Sequence, residues 1–360
     1  MHNFDSDRLA AIGLSETLAA RARTAADALG AANVALFRIT VVHRAGLELS
    51  DGERILAARA VPRLLRGGAD ALAVGDWVLA APDAAGDLWV HHQVAPTSRI
   101  CRRDGDGGVH AIVSNVDRAL VVMGLDDDFN PRRLERYLAL VVASGVQPHV
   151  VLTKADVAAA DPERRDRLVA QLRQRIPADV EIVAVDATAA QSAAAFAHLD
   201  RPGQTLVALG SSGAGKSTLT NTLLGAAVQD TGAVRVNDGR GMHTTTARSL
   251  HRLPGGACII DTPGLRTLRP DADEGALLAS FADVATLSAR CRFRDCGHGG
   301  EPGCAVRAGV DPDRLDNFQK MLRENRRDSL SWVERRQQLS AWKSRGREAR
   351  VRMRAKRGDG

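Results

Sequence analysis

Between residues 34 and 100 the apolar positions fall into short runs, 34–42, 54–56, 76–79 and 88–94, separated by turn residues. Runs of this length and spacing predict strands, and several in succession suit a small barrel. From 110 to 275 the pattern changes. Pro148-His-Val-Val-Leu152, Thr205-Leu-Val-Ala-Leu209 and Ala257-Cys-Ile-Ile260 read as strands, whereas Asn130, Pro131, Leu134, Leu138 and Val141 read as a capped helix with one apolar face. From Lys216 onward, Leu219, Leu223 and Leu224 again keep helical spacing. Strands alternating with helices predict an α/β layer. The first 33 residues are Ala-rich and predict partial helix; they lack the apolar core of a signal peptide and carry several acids, which argues against export or organelle import. No run of about 18 apolar residues interrupts the chain, so no membrane partner is expected.

The chemistry sits at the ends of these strands. Gly210-Ser211-Ser212-Gly213-Ala214-Gly215-Lys216-Ser217-Thr218 fits G-x-x-x-x-G-K-[ST], follows a strand and opens a helix. Its glycines let backbone N–H groups converge on phosphate oxygens, Lys216 reaches the β/γ-phosphates, and the Ser217 hydroxyl can ligate Mg²⁺. A Gly/Ser-rich turn before a helix is the plainer alternative, but it leaves the register of strand, loop and helix without a reason. Thr153-Lys154-Ala155-Asp156 follows the strand 148–152. There Asp156 can accept two hydrogen bonds from the N1–H and N2 edge of guanine, which adenine does not offer, and the Lys154 stem can lie along the base. Alone this tetrapeptide reads as a surface turn; beside a phosphate loop it favours GTP over ATP. Asp261-Thr-Pro-Gly264 follows a third strand, placing Asp261 to hold Mg²⁺ through water and the Gly264 N–H to meet a γ-phosphate. Thr244-Thr-Thr246 lies in a Gly- and Arg-rich stretch that suits either a switch segment or a solvated loop.

The order is base reader, phosphate loop, switch threonines, D-x-x-G, whereas an ordinary GTPase has the base reader last. All these loops leave the carboxyl ends of parallel strands in one sheet, so joining the old termini and cutting elsewhere keeps the site intact. The order therefore reads as a circular permutation.

Beyond it, Cys291, Cys296, His298 and Cys304 form C-x₄-C-x-H-x₅-C. Three thiolates and an imidazole among turn-forming glycines match a closed, structural Zn²⁺ site. Disulfides or unligated thiols are the alternatives, and they leave His298 without a role.

Together these features resemble the circularly permuted, small-ribosomal-subunit-dependent GTPases of the RsgA/YjeQ family, over roughly residues 34 to 320, with Gly75-Asp-Trp-Val78, Asn115-Val-Asp117 and Arg136-Tyr-Leu138 adding to the match. The resemblance implies a multidomain chain. Its parts would be an extension (1–33), an N-terminal OB-type β-barrel (34–105), a circularly permuted α/β P-loop GTPase domain (106–275), a small C-terminal helical zinc-binding domain (276–322) and a basic tail (323–360). It implies a cytoplasmic monomer acting late in maturation of the small ribosomal subunit, with that subunit and its rRNA as partners, GTP and GDP as ligands, Mg²⁺ with the nucleotide, and one structural Zn²⁺.

Charge supports an RNA partner only locally. The net charge is +6, yet residues 323–360 hold thirteen Lys/Arg against five Asp/Glu. This tail can neutralise RNA phosphates, or be a solubilising end without a specific partner. With 3% aromatic residues the barrel has few stacking platforms for bases. Leu265 stands where Ras-like enzymes place a water-orienting Gln, so intrinsic hydrolysis is expected to be slow. The family shares that substitution, and by resemblance His243 is the candidate water-positioning group, with Lys216 and Thr245 completing the catalytic set; a solvated loop His is the plainer reading. Thr153 replaces the usual Asn, which is expected to loosen the bracing of the base loop, and Asp186-Ala187-Thr188 replaces the usual Ser-Ala, leaving the Ala187 N–H for guanine O6. Two other readings stay open: a permuted GTPase acting on another RNA particle, and an RNA-binding module with negligible turnover, which Leu265 would suit.

Overall fold

The computed structural model describes residues 4–30, 33–65, 67–103, 108–158, 161–226, 248–263 and 274–328. Two helices lead, α1 (Ser6–Ala10) and α2 (Glu16–Leu29), the second capped by the Ser15 hydroxyl on Leu18 N–H and closed by Gly30 at φ 61°. Both pack onto the rest of the chain. Leu9, Leu18, Ala22 and Ala26 are buried in the main core, and Arg21 donates to the carbonyls of Ala95 and Pro96.

Five strands follow: β1 (Ala35–Val42), β2 (Leu47–Ser50), β3 (Ile55–Ala60), β4 (Trp77–Pro82) and β5 (Leu88–Gln93). Their order β1-β2-β3-β5-β4 closes through a β1–β4 pairing, with β3 and β5 parallel and the other pairs antiparallel. Phe37, Ile39, Leu49, Val78 and Val90 fill the barrel. A bulge between Ile39 and Val41 helps β1 to turn out of it. The barrel meets the rest of the molecule at Arg38, which is fully buried over the Trp77 ring and donates to the carbonyls of Ile12, Gly75 and Asn115. Three carbonyls satisfy a guanidinium that burial would otherwise make costly.

A hairpin, β6 (Arg99–Arg103) with β7 (Val109–Ser114), leads into the α/β layer. Its elements are β8 (Arg118–Gly124), α3 (Pro131–Ala143), β9 (Gln147–Thr153), α4 (Ala155–Ala158), α5 (Pro162–Arg173), β10 (Glu181–Ala184), β11 (Thr205–Gly210), α6 (Lys216–Leu224), β12 (Ser249–Arg252) and β13 (Cys258–Asp261). The order β10-β9-β8-β11-β13-β12 is parallel except for β12, whose Ser249 also pairs with Val41 of β1 and so joins layer to barrel. Alternate residues of β8 face opposite cores: Ala119, Val121 and Met123 pack toward α3, Leu120 and Val122 toward α6. The expected helix start is present, with Asn130 Oδ1 accepting from Arg133 N–H and Pro131 in the first turn.

The C-terminal helices are α7 (Glu274–Ser280), α8 (Ala282–Ser288), α9 (Ala305–Gly309) and α10 (Pro312–Asp328). Phe281, Val284, Val306, Phe318 and Met321 pack with Ala139 of α3. Beside them lies a buried polar knot: the Glu135 carboxylate accepts from Arg175, Arg314 and Asn317, while Arg314 also makes a two-pronged bond to Asp283. α10 runs six residues into the segment expected as a basic tail, because Glu324 there pairs with Arg136 and Arg326 with Glu274. The rest of that tail, 329–360, lies outside the described residues.

Candidate nucleotide-binding site and metal centre

The phosphate loop joins β11, every residue of which is buried, to α6. Gly213 and Gly215 hold φ of 80° and 91°, which side-chain-bearing residues rarely adopt, and a Cβ at Gly210 would lie 2.4 Å from the Val122 carbonyl oxygen. The motif's glycines are therefore needed by the backbone as well as by phosphate. Lys216 is buried and its Nζ donates to the Ser211 carbonyl at 2.7 Å. Ser217 Oγ lies 3.3 Å from Asp261 Oδ2. Asp261 Oδ1 is buried with no hydrogen-bond partner among the described residues. Burial pushes the Asp261 carboxyl up, against the pull of Lys216 and Ser217, and pushes the Lys216 ammonium down, against Asp261 and Asp128. An unmatched carboxylate oxygen beside a serine hydroxyl is the donor set of a hard dication, so these residues fit Mg²⁺.

The base loop touches the phosphate loop directly. Thr153 Oγ1 donates to the Ala214 carbonyl at 2.6 Å. At this position a hydroxyl reaches the phosphate-loop carbonyl as a brace, and Gly215 leaves the room, since a Cβ there would meet Thr153 Oγ1 at 3.1 Å. Lys154 has a left-handed backbone, φ 60°, which turns its side chain back to Asp126 at 2.6 Å. Asp156 is exposed in the first turn of α4. The second base loop lies alongside, with Ala155 N–H bonded to the Val185 carbonyl, Ala187 buried, and Thr188 folded onto the Asp186 carboxylate. Thr188 hydrogen bonds hold that carboxyl below its ordinary value. Gly264, Leu265, His243 and Thr244 to Thr246 lie outside the described residues.

Cys291, Cys296, His298 and Cys304 come together, with one ligand atom from each within 4.8 Å of all the others. Cys291 Sγ is 3.9 Å from Cys304 Sγ and 3.8 Å from His298 Nδ1, and Cys304 Sγ is 3.5 Å from His298 Nδ1. A tetrahedron with Zn–S bonds of about 2.3 Å has edges of about 3.7 Å, so the four donors fit zinc. His298 Nε2 meets Ser288 Oγ at 3.1 Å, which leaves Nδ1 for a metal. The turn between the ligands is tied by Glu301, whose carboxylate accepts N–H bonds from Gly297, Gly299 and Gly300. Its own amide and those glycine amides bring its carboxyl down to about 2.

Residues 94–270 match the family model described as RsgA GTPase. The chain is 44% identical over 297 residues to the small ribosomal subunit biogenesis GTPase RsgA of Xanthomonas campestris pv. campestris strain B100, covering 79% of each chain. A relative of the same name from Xanthomonas axonopodis pv. citri is 44% identical over 300 residues, covering 80% of each. The chain belongs to the RsgA GTPase family. Among solved structures, YjeQ from Thermotoga maritima matches with a TM-score of 0.59 at 22% identity, covering 81% of this chain and 98% of that one. YloQ, described as a circularly permuted GTPase, matches at 0.58 and 21%, covering 84% and 98%. These two establish the fold, permuted order included, and membership in the RsgA family makes the chain a GTP hydrolase.

For this RsgA GTPase the residues that sequence reading missed are Asp126 and Asp128, at the carboxyl end of β8. Asp126 holds Lys154, while Asp128 accepts from Ser211 Oγ at 2.6 Å, from the Gly124 amide at 3.1 Å, and from Arg133 of α3. Burial alone would raise the Asp126 carboxyl, but Lys154 and the Asp128 amide hold it below its ordinary value. The signal available in the chain was three consecutive acids between an apolar run and an Asn-Pro helix start.

Proposed function

We propose that this GTPase acts in the cytoplasm as a monomeric factor late in maturation of the small ribosomal subunit, binding its rRNA, with turnover stimulated by that subunit. The observation that carries the reading is the Thr153–Ala214 hydrogen bond. It couples a loop suited to guanine with a loop suited to phosphates, in inverted chain order, within a chain 44% identical to proteins named for small-subunit biogenesis.

Guanine would be read by Asp156 and the Ala187 N–H, with Lys154 laid against the base and fixed by Asp126. The β- and γ-phosphates would take the Lys216 ammonium from the Ser211 carbonyl, and the amides of 211–216 would surround them. Mg²⁺ would be held by Ser217 and, through water, Asp261, and when bound it neutralises charge on the phosphates. With Leu265 unable to bond water, His243 is proposed to position the attacking water and Thr245 to close over the γ-phosphate. Gly264 would offer its N–H to the same group. Cys291, Cys296, His298 and Cys304 would hold one Zn²⁺ that supports folding of the C-terminal helices; Cys304 contributes both a ligand and a core position against them.

GTP hydrolysis measured alone and with purified small subunits, large subunits or free RNA tests the reading. Stimulation by small subunits alone is expected. Equal stimulation by large subunits or by RNA would overturn the partner, and no turnover under any condition would overturn the catalytic role in favour of a nucleotide-dependent binding module.

A further inference from the structure

A second group of ligand-bearing side chains lies away from both sites. β10 is the edge strand of the parallel sheet, and its Glu181 stands in register opposite His149 of β9, so both side chains leave the same face. His198 reaches them from the turn after the 3₁₀ segment Ala190–Phe196, a turn fixed on either side by the buried Phe196 and Leu199. His149 Nε2 is 3.4 Å and His198 Nε2 is 3.3 Å from the same oxygen, Glu181 Oε2. One ligand atom from each of the three residues lies within 4.8 Å of the other two.

We propose that His149, Glu181 and His198 form a second zinc-binding site, weaker and more readily exchanged than the cysteine cluster. Three observations carry it. Charge-assisted N–H···O⁻ bonds close to about 2.7–2.9 Å, whereas ligands around Zn²⁺, at about 2.0–2.2 Å from the metal, stand about 3.3–3.4 Å apart. Both nitrogen-to-carboxylate distances fall in the second range. The remaining edge, between the two imidazoles, lies within 4.8 Å; His149, 8% exposed, is the anchor, and His198, 45% exposed, is the side chain with room to adjust. Two imidazoles and a carboxylate make up the ligand set of zinc sites that keep one position open to water, which accounts for the expected ready exchange. Glu181 and His198 both face solvent, so the ion has an entry path.

The consequence follows from the topology. A metal here would pin the edge strand β10 to β9 and to the turn at 198, on strands that lead into both base loops, since β9 ends at Thr153 and β10 leads to Asp186. It would add stability by binding the folded chain alone, without joining the reaction.

Zn²⁺ titration of the full-length protein, followed as metal per chain and by competition with a chromogenic chelator, tests the site. The parent is expected to hold one equivalent that resists a mild chelator and a second that does not. His198→Ala and Glu181→Gln, at half-exposed positions where folding is not at stake, should each weaken the second equivalent by about 100-fold or more and leave the first unchanged. With Co²⁺ as the probe, the second equivalent should give weak visible bands without the strong thiolate absorption of the first. The proposal is overturned if the parent takes up no Zn²⁺ beyond the chelator-resistant equivalent at micromolar metal, or if both variants keep the second one.

Discussion

Asp156 and Thr153 show how much one oxygen decides. Asp156 is exposed, and the role proposed for it depends on a base that offers two donors. Asp156→Asn reverses one of those pairings, so GTP affinity should fall by about 10-fold or more, with xanthine nucleotides gaining in preference; nucleotide titration checks it, and unchanged GTP binding would remove Asp156 from the site. Thr153→Val keeps the shape but leaves the buried Ala214 carbonyl without its donor. A loss of about 1–3 kcal/mol in unfolding free energy is expected, with weaker GTP binding because the brace between the two loops is gone. Denaturant melts with and without nucleotide separate the two effects.

At the scale of elements, α3 connects the nucleotide loops with the C-terminal helices. Its first turn carries Arg133, bonded to Asp128 and through it to Ser211, and the next residue but one, Glu135, sits at the centre of the polar knot with Arg175, Arg314 and Asn317. Glu135 and Arg314 are both nearly inaccessible to water. Glu135→Gln removes the carboxylate that two buried guanidinium groups share, leaving Arg175 to Asp313 and Arg314 to Asp283, and a loss of about 1–3 kcal/mol is expected from chemical denaturation. The same junction is acid-sensitive. Burial opposes ionisation of Asp283, yet Arg314 holds its carboxyl below the ordinary 3.8. A depressed carboxyl contributes stability that is complete above its ordinary value and is lost as pH falls through the lower folded value. Denaturant midpoints should therefore begin to drop below about pH 4, and Asp283→Asn should flatten that part of the profile.

The whole molecule is organised by the permutation. β13 carries Asp261 at its end and is followed in the chain by α7, so the segment proposed to meet the γ-phosphate precedes the helices around the cysteine cluster. Docking on the subunit is expected to bring His243 to the attacking water. His243→Ala should then remove most of the subunit-stimulated rate, about 100-fold or more, while GTP and subunit binding persist; stimulated turnover equal to the parent's at saturating GTP and subunit would disprove it. Deleting 329–360 should weaken subunit binding and flatten its salt dependence. The cut belongs after Asp328, because an earlier one would remove the Glu324–Arg136 and Arg326–Glu274 pairs along with the tail.

Local patterns carried a large share of this. The phosphate loop, Thr153 to Asp156, Asp261 and the C-x₄-C-x-H-x₅-C spacing are contiguous signals, because backbone approach to phosphate and tetrahedral ligation each demand particular residues at short separations. The inverted motif order likewise required only the chain. What tertiary structure alone decided are contacts between residues far apart in sequence. Asp128 meets Ser211 across 83 positions, Arg314 meets Glu135 across 179, and Arg38 is buried by carbonyls from three separate segments. No periodicity marks such pairs. A buried charge is stable only where distant segments deliver its partners, and that delivery is set by how the barrel, the sheet and the C-terminal helices pack together.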